Sequence, residues 1–329
     1  MRLPLVMVCG LAALAALTAC AGTSRNPTVA RWGPAGDASP TTVAASPVPL
    51  SAAPTTTARA SAAPSGPVVP RGVTAAIAVF DRRTGAFTER RNVTTRFRSA
   101  SLVKLLIALD YLWDRGPAYT VPAADRGRLD LMLRSSDDDA ASYFYRRAGS
   151  EAVVKRMVAR LGLQNTTPPA PPRTGWGSTA VSAADIVRVY RYLLDTAPPP
   201  VRDLVMGDLR QSTRCATDGF DQTFGIPTAF GRPWAVKQAW YEFAGTSTRG
   251  CAAPAAAGPG AGITVPVAAP AAADGVDWNG EVLHTTGTVG AGDRSIVVIL
   301  TVHRSGTRFV TAAAALTRLA GSIRLAGAG

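Results

Sequence analysis

The sequence predicts an α+β fold in which both ends of one folded domain contribute strands to a single antiparallel sheet. Two strand-like runs lie between residues 74 and 92, and three more follow residue 234. The interval between them contains apolar and amphipathic segments with helical periodicity. Strands from both ends can bury their apolar faces together if they share one sheet that the helices flank.

Local signals mark the limits of these elements. The polar residues 81–85 separate the two strands of the first hairpin. Gly162 ends an amphipathic helix, and Ser182 with Asp185 forms a capping box that opens another. The predicted strands are 74–80, 86–92, 234–243, 281–289 and 294–303, and the predicted helices are 102–113, 129–147 with a polar break at 135–139, 151–161, 182–194 and 309–323.

The N-terminal segment has the pattern of an export signal. Arg2 precedes an apolar run over residues 3–17, and small residues lead from there to Cys20. This run is too short for an ordinary membrane span and predicts a secretory signal peptide over residues 1–19. Residues 17–20 resemble a bacterial lipobox, which implies a lipid such as palmitate on Cys20 and anchoring to the outer face of the cell membrane. A plain signal peptide with an incidental cysteine is the alternative.

Two segments have the composition of chain without a packed core. Residues 20–70 are rich in Ala, Pro, Ser and Thr and contain few large apolar side chains. Such a segment cannot bury enough surface to offset its ordering entropy, so it predicts a disordered tether. It leads to a folded domain over residues 71–325, in which the Ala/Pro/Gly-rich residues 245–277 predict a surface insertion.

Cysteine and histidine content limits the chemistry of this domain. Cys9 would leave with the signal peptide, so Cys215 and Cys251 remain. Two cysteines in an exported domain predict one disulfide, with two free thiols as the alternative. The two histidines and the absence of a paired-cysteine motif do not make a zinc pattern, and we expect no metal and no cofactor.

The net charge of +13 bears on partners. Nucleic acid is not expected outside the cell, so anionic envelope polymers or lipid headgroups are the candidate partners. A basic surface that only keeps a monomeric protein soluble is the alternative interpretation.

The motif Ser101-x-x-Lys104 stands at the start of the apolar helix predicted for residues 102–113. Residues i and i+3 of a helix share a face, with Cβ atoms roughly 5–6 Å apart. A hydroxyl and an amine at that spacing can act as nucleophile and base. The structural alternative is that Lys104 only packs its aliphatic stem against the core of a buried helix while its amine reaches solvent.

Three motifs in this order resemble those of the penicillin-binding protein and class A β-lactamase superfamily of serine acyl transferases, which uses S-x-x-K, S-D-N and K-T-G. The resemblance covers roughly residues 72–325. It is strongest to the alanine-rich, β-lactamase-like (LppW-like) lipoproteins of actinobacteria, through residues 129–138 and 234–240. The residues at the three motifs are Ser101 and Lys104, then Ser136, Asp137 and Asp138 at the helix break, then Lys237, Gln238 and Ala239 on a strand.

The resemblance implies a role for each of these side chains. Ser101 would be the nucleophile, and Lys104 would accept its proton. Ser136 would pass a proton to the leaving group. Lys237 would hold a substrate carboxylate and position Ser136. Backbone N–H groups of Ser101 and Trp240 would form the oxyanion hole.

The motifs also depart from the family pattern. Asp138 replaces the usual Asn, and a carboxylate near Lys104 would favour its ammonium form and slow acylation. Gln238 replaces Thr and would still donate to a substrate carboxylate. Ala239 replaces Gly, and its methyl group would narrow the pocket beside the strand. Residues 164–177 contain no acid to activate a deacylating water, and the short spacing from Ser101 to Ser136 predicts a reduced helical lobe.

These observations leave three functions open. The first is an envelope-anchored serine hydrolase or acyl transferase that acts on peptidoglycan-type peptides or other acyl substrates and deacylates poorly. The second is a catalytically weak or inactive lipoprotein that binds cell-wall material or a protein. The third is a true β-lactamase, which the missing acid disfavours.

Overall fold

The computed structural model describes residues 66–243, 251 and 274–325. The described residues have the predicted α+β architecture. The predicted signal peptide, Cys20, the tether up to residue 65 and residues 245–250 and 252–273 of the predicted insertion lie outside the described residues. No helix among the described residues is long and apolar enough to cross a membrane.

The main sheet is antiparallel and combines early and late strands, as the sequence predicts. The strands in chain order are β1 (Val73–Asp81), β2 (Ala86–Arg91), β3 (Arg96–Arg98), β4 (Ala180–Ser182), β5 (Trp234–Tyr241), β6 (Glu281–Val289) and β7 (Ser295–His303). The main sheet has the order β2-β1-β7-β6-β5, so β7 pairs with β1 over its whole length. The strands β3 and β4 form a separate two-stranded sheet that the sequence analysis did not predict.

Helices cover the sheet and form the lobe beside it. They are α1 (Lys104–Trp113), α2 (Ala123–Arg134), α3 (Asp138–Arg147), α4 (Glu151–Leu161), α5 (Ala183–Arg191), α6 (Pro199–Arg210), α7 (Ile226–Ala229) and α8 (Phe309–Gly321). The predicted break at residues 135–139 separates α2 from α3. The sequence analysis missed α6 because Pro198, Pro199 and Pro200 signal a break, although proline is tolerated in the first turn of a helix.

The two faces of the sheet bury separate cores because strand side chains alternate. Ala76 and Phe80 of β1 face a cluster built with α1, α3, α4 and α5. Ile77 and Val79 face the opposite cluster, which includes apolar residues of α8. The candidate site residues therefore approach from the first of these faces, where the helical lobe meets the sheet.

Cys215 and Cys251 form a disulfide with an S–S length of 2.04 Å and a Cα–Cα distance of 5.8 Å. Cys215 lies in the segment between α6 and α7, and Cys251 follows β5. The bond connects the chain after β5 to the loop that carries Asp218.

Candidate active site

Ser101 lies in the 3₁₀ turn Ala100–Val103, which runs directly into α1. Two hydrogen bonds hold the residues just before this turn: Ser99 N–H donates to the Thr179 carbonyl at 2.8 Å, and His284 Nε2 lies 2.8 Å from the Arg98 carbonyl. Ala100 has a φ of +43°, a conformation that costs non-glycine residues of the order of 1–3 kcal/mol. The turn directs Ser101, 6% exposed, into a cleft of about 890 Å³.

Lys104 is fully buried beneath the cleft, and its ammonium group already has three acceptors. Its Nζ donates to the Ser136 carbonyl at 2.5 Å, to Asp138 Oδ1 at 2.6 Å and to Ser136 Oγ at 3.3 Å. Three is the full donor capacity of a lysine ammonium. Among the hydrogen bonds of the described residues, none joins Lys104 to Ser101. In this arrangement the Lys104 amine is directed at Ser136 and Asp138 rather than at Ser101.

Ser136 connects Lys104 to Lys237. It lies at the break between α2 and α3, with a φ of +56°, and Asp137 caps α3 by accepting from Ala140 N–H at 2.7 Å. Lys237 Nζ of β5 lies 2.8 Å from Ser136 Oγ. Burial, and next the positive charge of Lys104, hold the pKa of Lys237 well below its usual range. The three motifs thus meet at one hydroxyl, with one lysine paired to a carboxylate and the other favoured as a neutral amine.

The residues after Lys237 occupy places that differ in part from expectation. Gln238 does not line the cleft, since its Nε2 donates to the carbonyls of Gln222 at 3.1 Å and Phe224 at 2.5 Å. It therefore does not reach a ligand in the cleft, contrary to the expected carboxylate contact. Ala239 is buried in the core and does not line the cleft, so its methyl does not narrow the cleft. Trp240 does line the cleft.

Asp218 is a carboxylate of the cleft that the sequence analysis missed. Trp240 Nε1 donates to its Oδ2 at 2.9 Å, and Phe220 N–H donates to its Oδ1 at 3.3 Å. Burial raises the pKa of Asp218 above its ordinary value, although these two hydrogen bonds oppose the shift. In the sequence Asp218 precedes Gly219 and is typical of a turn, so nothing local separates it from a solvent-exposed loop residue.

The segment between α4 and β4 places an aromatic ring, rather than an acid, beside Lys104. Trp176 covers Lys104, with Nζ 4.8 Å from the ring centroid, and its Nε1 donates to Ser142 Oγ at 3.1 Å. The buried carboxylate of Asp185 anchors the start of the segment by accepting from the N–H groups of Gln164 and Asn165. The segment thus forms one wall of the cleft.

This fold is shared with solved structures of serine enzymes. PBP-A matches with a TM-score of 0.52 at 14% identity, over 77% of this chain and 89% of that one. A further PBP-A structure, of a mutant, is an acyl-enzyme complex with penicillin G. A class A β-lactamase from Mycobacterium abscessus matches with a TM-score of 0.50 at 18% identity, over 75% of this chain and 92% of that one. The chain therefore has the fold of the class A β-lactamases and the penicillin-binding proteins related to them.

The sequence itself has a named relative. The chain is a homologue of LppW of Mycobacterium tuberculosis, which is named as a lipoprotein, with 40% identity over 181 residues. The match covers 54% of this chain and 57% of LppW, and the same match is found in Mycobacterium bovis. No protein-family model matches the chain.

Proposed function

We propose that the protein is a serine acyl transferase or hydrolase of the penicillin-binding type, which forms an acyl-enzyme at Ser101 and releases it poorly. The observation that carries this proposal is the convergence of Lys104 and Lys237 on Ser136 Oγ, at 3.3 and 2.8 Å, beneath a cleft that Ser101 lines. Peptidoglycan-type peptides or other acyl compounds of similar size are the proposed substrates.

The hydrogen-bond order supports a route for the proton. Lys104 and Lys237 both donate to Ser136 Oγ, at 3.3 and 2.8 Å, so the Ser136 hydroxyl keeps its own proton for another acceptor. Lys104 would become a general base by giving one ammonium proton to solvent through the exposed Asp138 carboxylate, and the neutral amine would then accept the Ser101 proton as the hydroxyl attacks the substrate carbonyl. Ser136 would then return a proton to the leaving group, and the N–H groups of Ser101 and Trp240 would stabilise the oxyanion.

Slow deacylation follows from the walls of the cleft. The segment that would supply a water-activating carboxylate supplies Trp176 instead, and its indole packs over Lys104. An apolar ring beside the acyl-enzyme would exclude a hydrolytic water rather than activate it. We therefore expect an acyl-enzyme that accumulates, not the rapid turnover of a β-lactamase.

A second candidate function is ligand binding without acylation. The Lys104–Asp138 ion pair at 2.6 Å favours it, because a lysine held as an ammonium cannot take a proton from Ser101. In this case the protein would bind cell-wall material or a protein partner through the same cleft. Either protein would be anchored by lipid on Cys20, a location supported by the name of LppW as a lipoprotein.

Intact mass spectrometry of the full-length protein after incubation with penicillin G tests the proposal. An added penicilloyl group that is absent in Ser101→Ala, and present in the control Ser322→Ala, supports an acyl-serine enzyme. No adduct after prolonged incubation would favour the binding protein. Penicillin consumption without an accumulated adduct would instead indicate a β-lactamase and contradict poor deacylation.

A further inference from the structure

Arg98 is a charged residue of the cleft that the acyl-transfer chemistry does not use. Its side chain lines the cleft with 8% of its surface exposed. Its Nη2 donates to Ser178 Oγ at 3.1 Å, whereas its Nε has no hydrogen-bond partner among the described residues. None of the ion pairs formed by the described residues includes Arg98.

A guanidinium in this setting destabilises the free protein. Arginine stays charged at physiological pH, and a buried charge without a carboxylate partner loses hydration that the hydrogen bond to Ser178 and the contact with Tyr241 replace only in part. Burial is also the main cause that lowers the pKa of Arg98 from its usual value. An anion that enters the cleft would offset this loss, so the site is arranged to gain from a ligand carboxylate.

Aromatic rings fix the plane of the Arg98 guanidinium. Its Cζ lies 3.4 Å from the centroid of the Tyr241 ring and 5.7 Å from that of Trp278. Arg173 also contacts Trp278, with its Cζ 4.6 Å from the centroid of that ring. Nη2 already donates to Ser178 and Nε is buried, so Nη1 is the guanidinium nitrogen from which a ligand carboxylate would accept. Contact with the rings restricts the rotation of the group before the ligand binds.

The position of Arg98 relative to Ser101 sets the length of the ligand. The two residues are three apart in the chain, so their Cα atoms are separated by at most about 11 Å. An extended peptide covers that distance in about three residues. Lys237, in contrast, is 1% exposed and does not line the cleft, so Arg98 is the better placed of the two cations for a ligand carboxylate.

We propose that Arg98 is an anion-binding residue of this cleft and that it selects acidic peptides, by binding a carboxylate within about three residues of the carbonyl at Ser101. This inference deepens the proposed function and rests on it for the position of that carbonyl. Glu242 also lines the cleft, and its negative charge acts on Arg98 at longer range. Glu242 therefore competes with the ligand and reduces the affinity for anions.

Binding of two matched peptides tests this selection. The probes are acetyl-Glu-Ala-D-Ala-D-Ala and its Gln counterpart, titrated by calorimetry into full-length Ser101→Ala so that no acyl-enzyme forms. We expect the Glu peptide to bind about tenfold more tightly, a ratio equal to about 1.4 kcal/mol. Arg98→Gln should bring the ratio to about one. Arg98→Lys should give an intermediate value, and the exposed Arg318→Gln is the matched control.

Two further results keep the test decisive. The proposal is overturned if both peptides bind with equal affinity or if neither binds at millimolar concentration. It is also overturned if Arg98→Gln still prefers the Glu peptide. If Arg98→Gln does not fold, Glu242→Gln replaces it and should raise the preference about threefold; an unchanged preference overturns the proposal. A Glu preference in a protein that penicillin G does not acylate would refute the acyl-serine function and leave the anion site standing.

Discussion

Lys104 Nζ lies 2.6 Å from Asp138 Oδ1 and has the Ser136 hydroxyl and carbonyl as its other acceptors. Asp138 occupies the third position of the second motif, where the resemblance drawn from the sequence implies an asparagine, and its side chain is 64% exposed. The general base of the proposed reaction is therefore paired with a carboxylate that can move into solvent. Whether this ion pair opens decides how fast Ser101 reacts.

Replacing Asp138 by Asn should accelerate acylation. The substitution keeps an acceptor for Lys104 but removes the charge that favours the ammonium form. Because Asp138 is largely exposed, the gain is modest, about tenfold in the rate of penicilloyl formation. Intact mass spectrometry of samples quenched at successive times measures this rate. The matched control is Asp139→Asn, which removes a neighbouring carboxylate of the cleft. Equal acylation rates in the wild type and Asp138→Asn would contradict the ion-pair explanation.

Lys237→Met should separate stability from catalysis. The variant removes a buried amine and should lower the acylation rate by about 100-fold, since Ser136 loses its partner at 2.8 Å. It should also raise Tm at pH 7. The pKa of Lys237 is lowered in the folded state. As pH falls below 10.5 the unfolded chain therefore binds a proton that the folded protein does not, and the free energy of unfolding decreases. The Tm difference between the variant and the wild type should thus shrink from pH 7 to pH 10.

A Tm difference that stays constant over this pH range would contradict the assignment of Lys237 as a destabilising buried amine. Lys155→Met, at an exposed lysine of α4, controls for the loss of one positive charge. The same two variants also test the acylation step, because Lys237 donates to Ser136 Oγ whereas Lys155 lies on the surface of α4.

His284 should make the domain sensitive to acid. Its Nδ1 accepts from Thr301 N–H at 3.0 Å and its Nε2 lies 2.8 Å from the Arg98 carbonyl, so the neutral ring fits the site. Burial lowers the pKa of His284 from 6.5 to about 4. As pH falls, the unfolded chain therefore takes up a proton before the folded protein does. The free energy of unfolding has its full value above pH 6.5 and declines by about 3 kcal/mol toward pH 4.

Chemical denaturation of the wild type and His284→Gln between pH 7.5 and pH 4.5 measures this decline. Glutamine can accept and donate at the same two positions but does not titrate. We expect the free energy of unfolding of the variant to depend less on pH. Parallel curves for the two proteins would show that the titration of His284 does not contribute.

Gly287→Ala should disturb β5, the strand that carries Lys237. Gly287 pairs with Val236, and a Cβ at this position would lie 2.0 Å from the Ala235 carbonyl oxygen. Because backbone atoms on both strands would have to separate, we expect a loss of roughly 2–4 kcal/mol in the free energy of unfolding. Gly207→Ala on α6, where a Cβ meets nothing within 4 Å, should be neutral or stabilising. Thermal denaturation compares them, and a stable Gly287→Ala would contradict the tight approach of β5 and β6.

Much of the architecture could be predicted from local patterns. The alternating runs placed β1, β5, β6 and β7 within a residue or two, and the Ser182–Asp185 capping box placed the start of α5, where Ser182 Oγ accepts from Asp185 N–H. The short sheet of β3 and β4 escaped prediction. Three-residue strands carry no periodicity, and their pairing joins positions far apart in the chain.

The order of the motifs was determined by the sequence alone: a serine and a lysine at the start of a helix, a second serine at a helix break, and a second lysine on a late strand. These are features of residue type, spacing and local propensity, so no tertiary contact is needed to find them. Only the tertiary structure decided that Asp138 pairs with Lys104, that Gln238 does not line the cleft, and that Asp218 and Arg98 line it. These contacts depend on distances between separate elements and on the face to which each strand residue points.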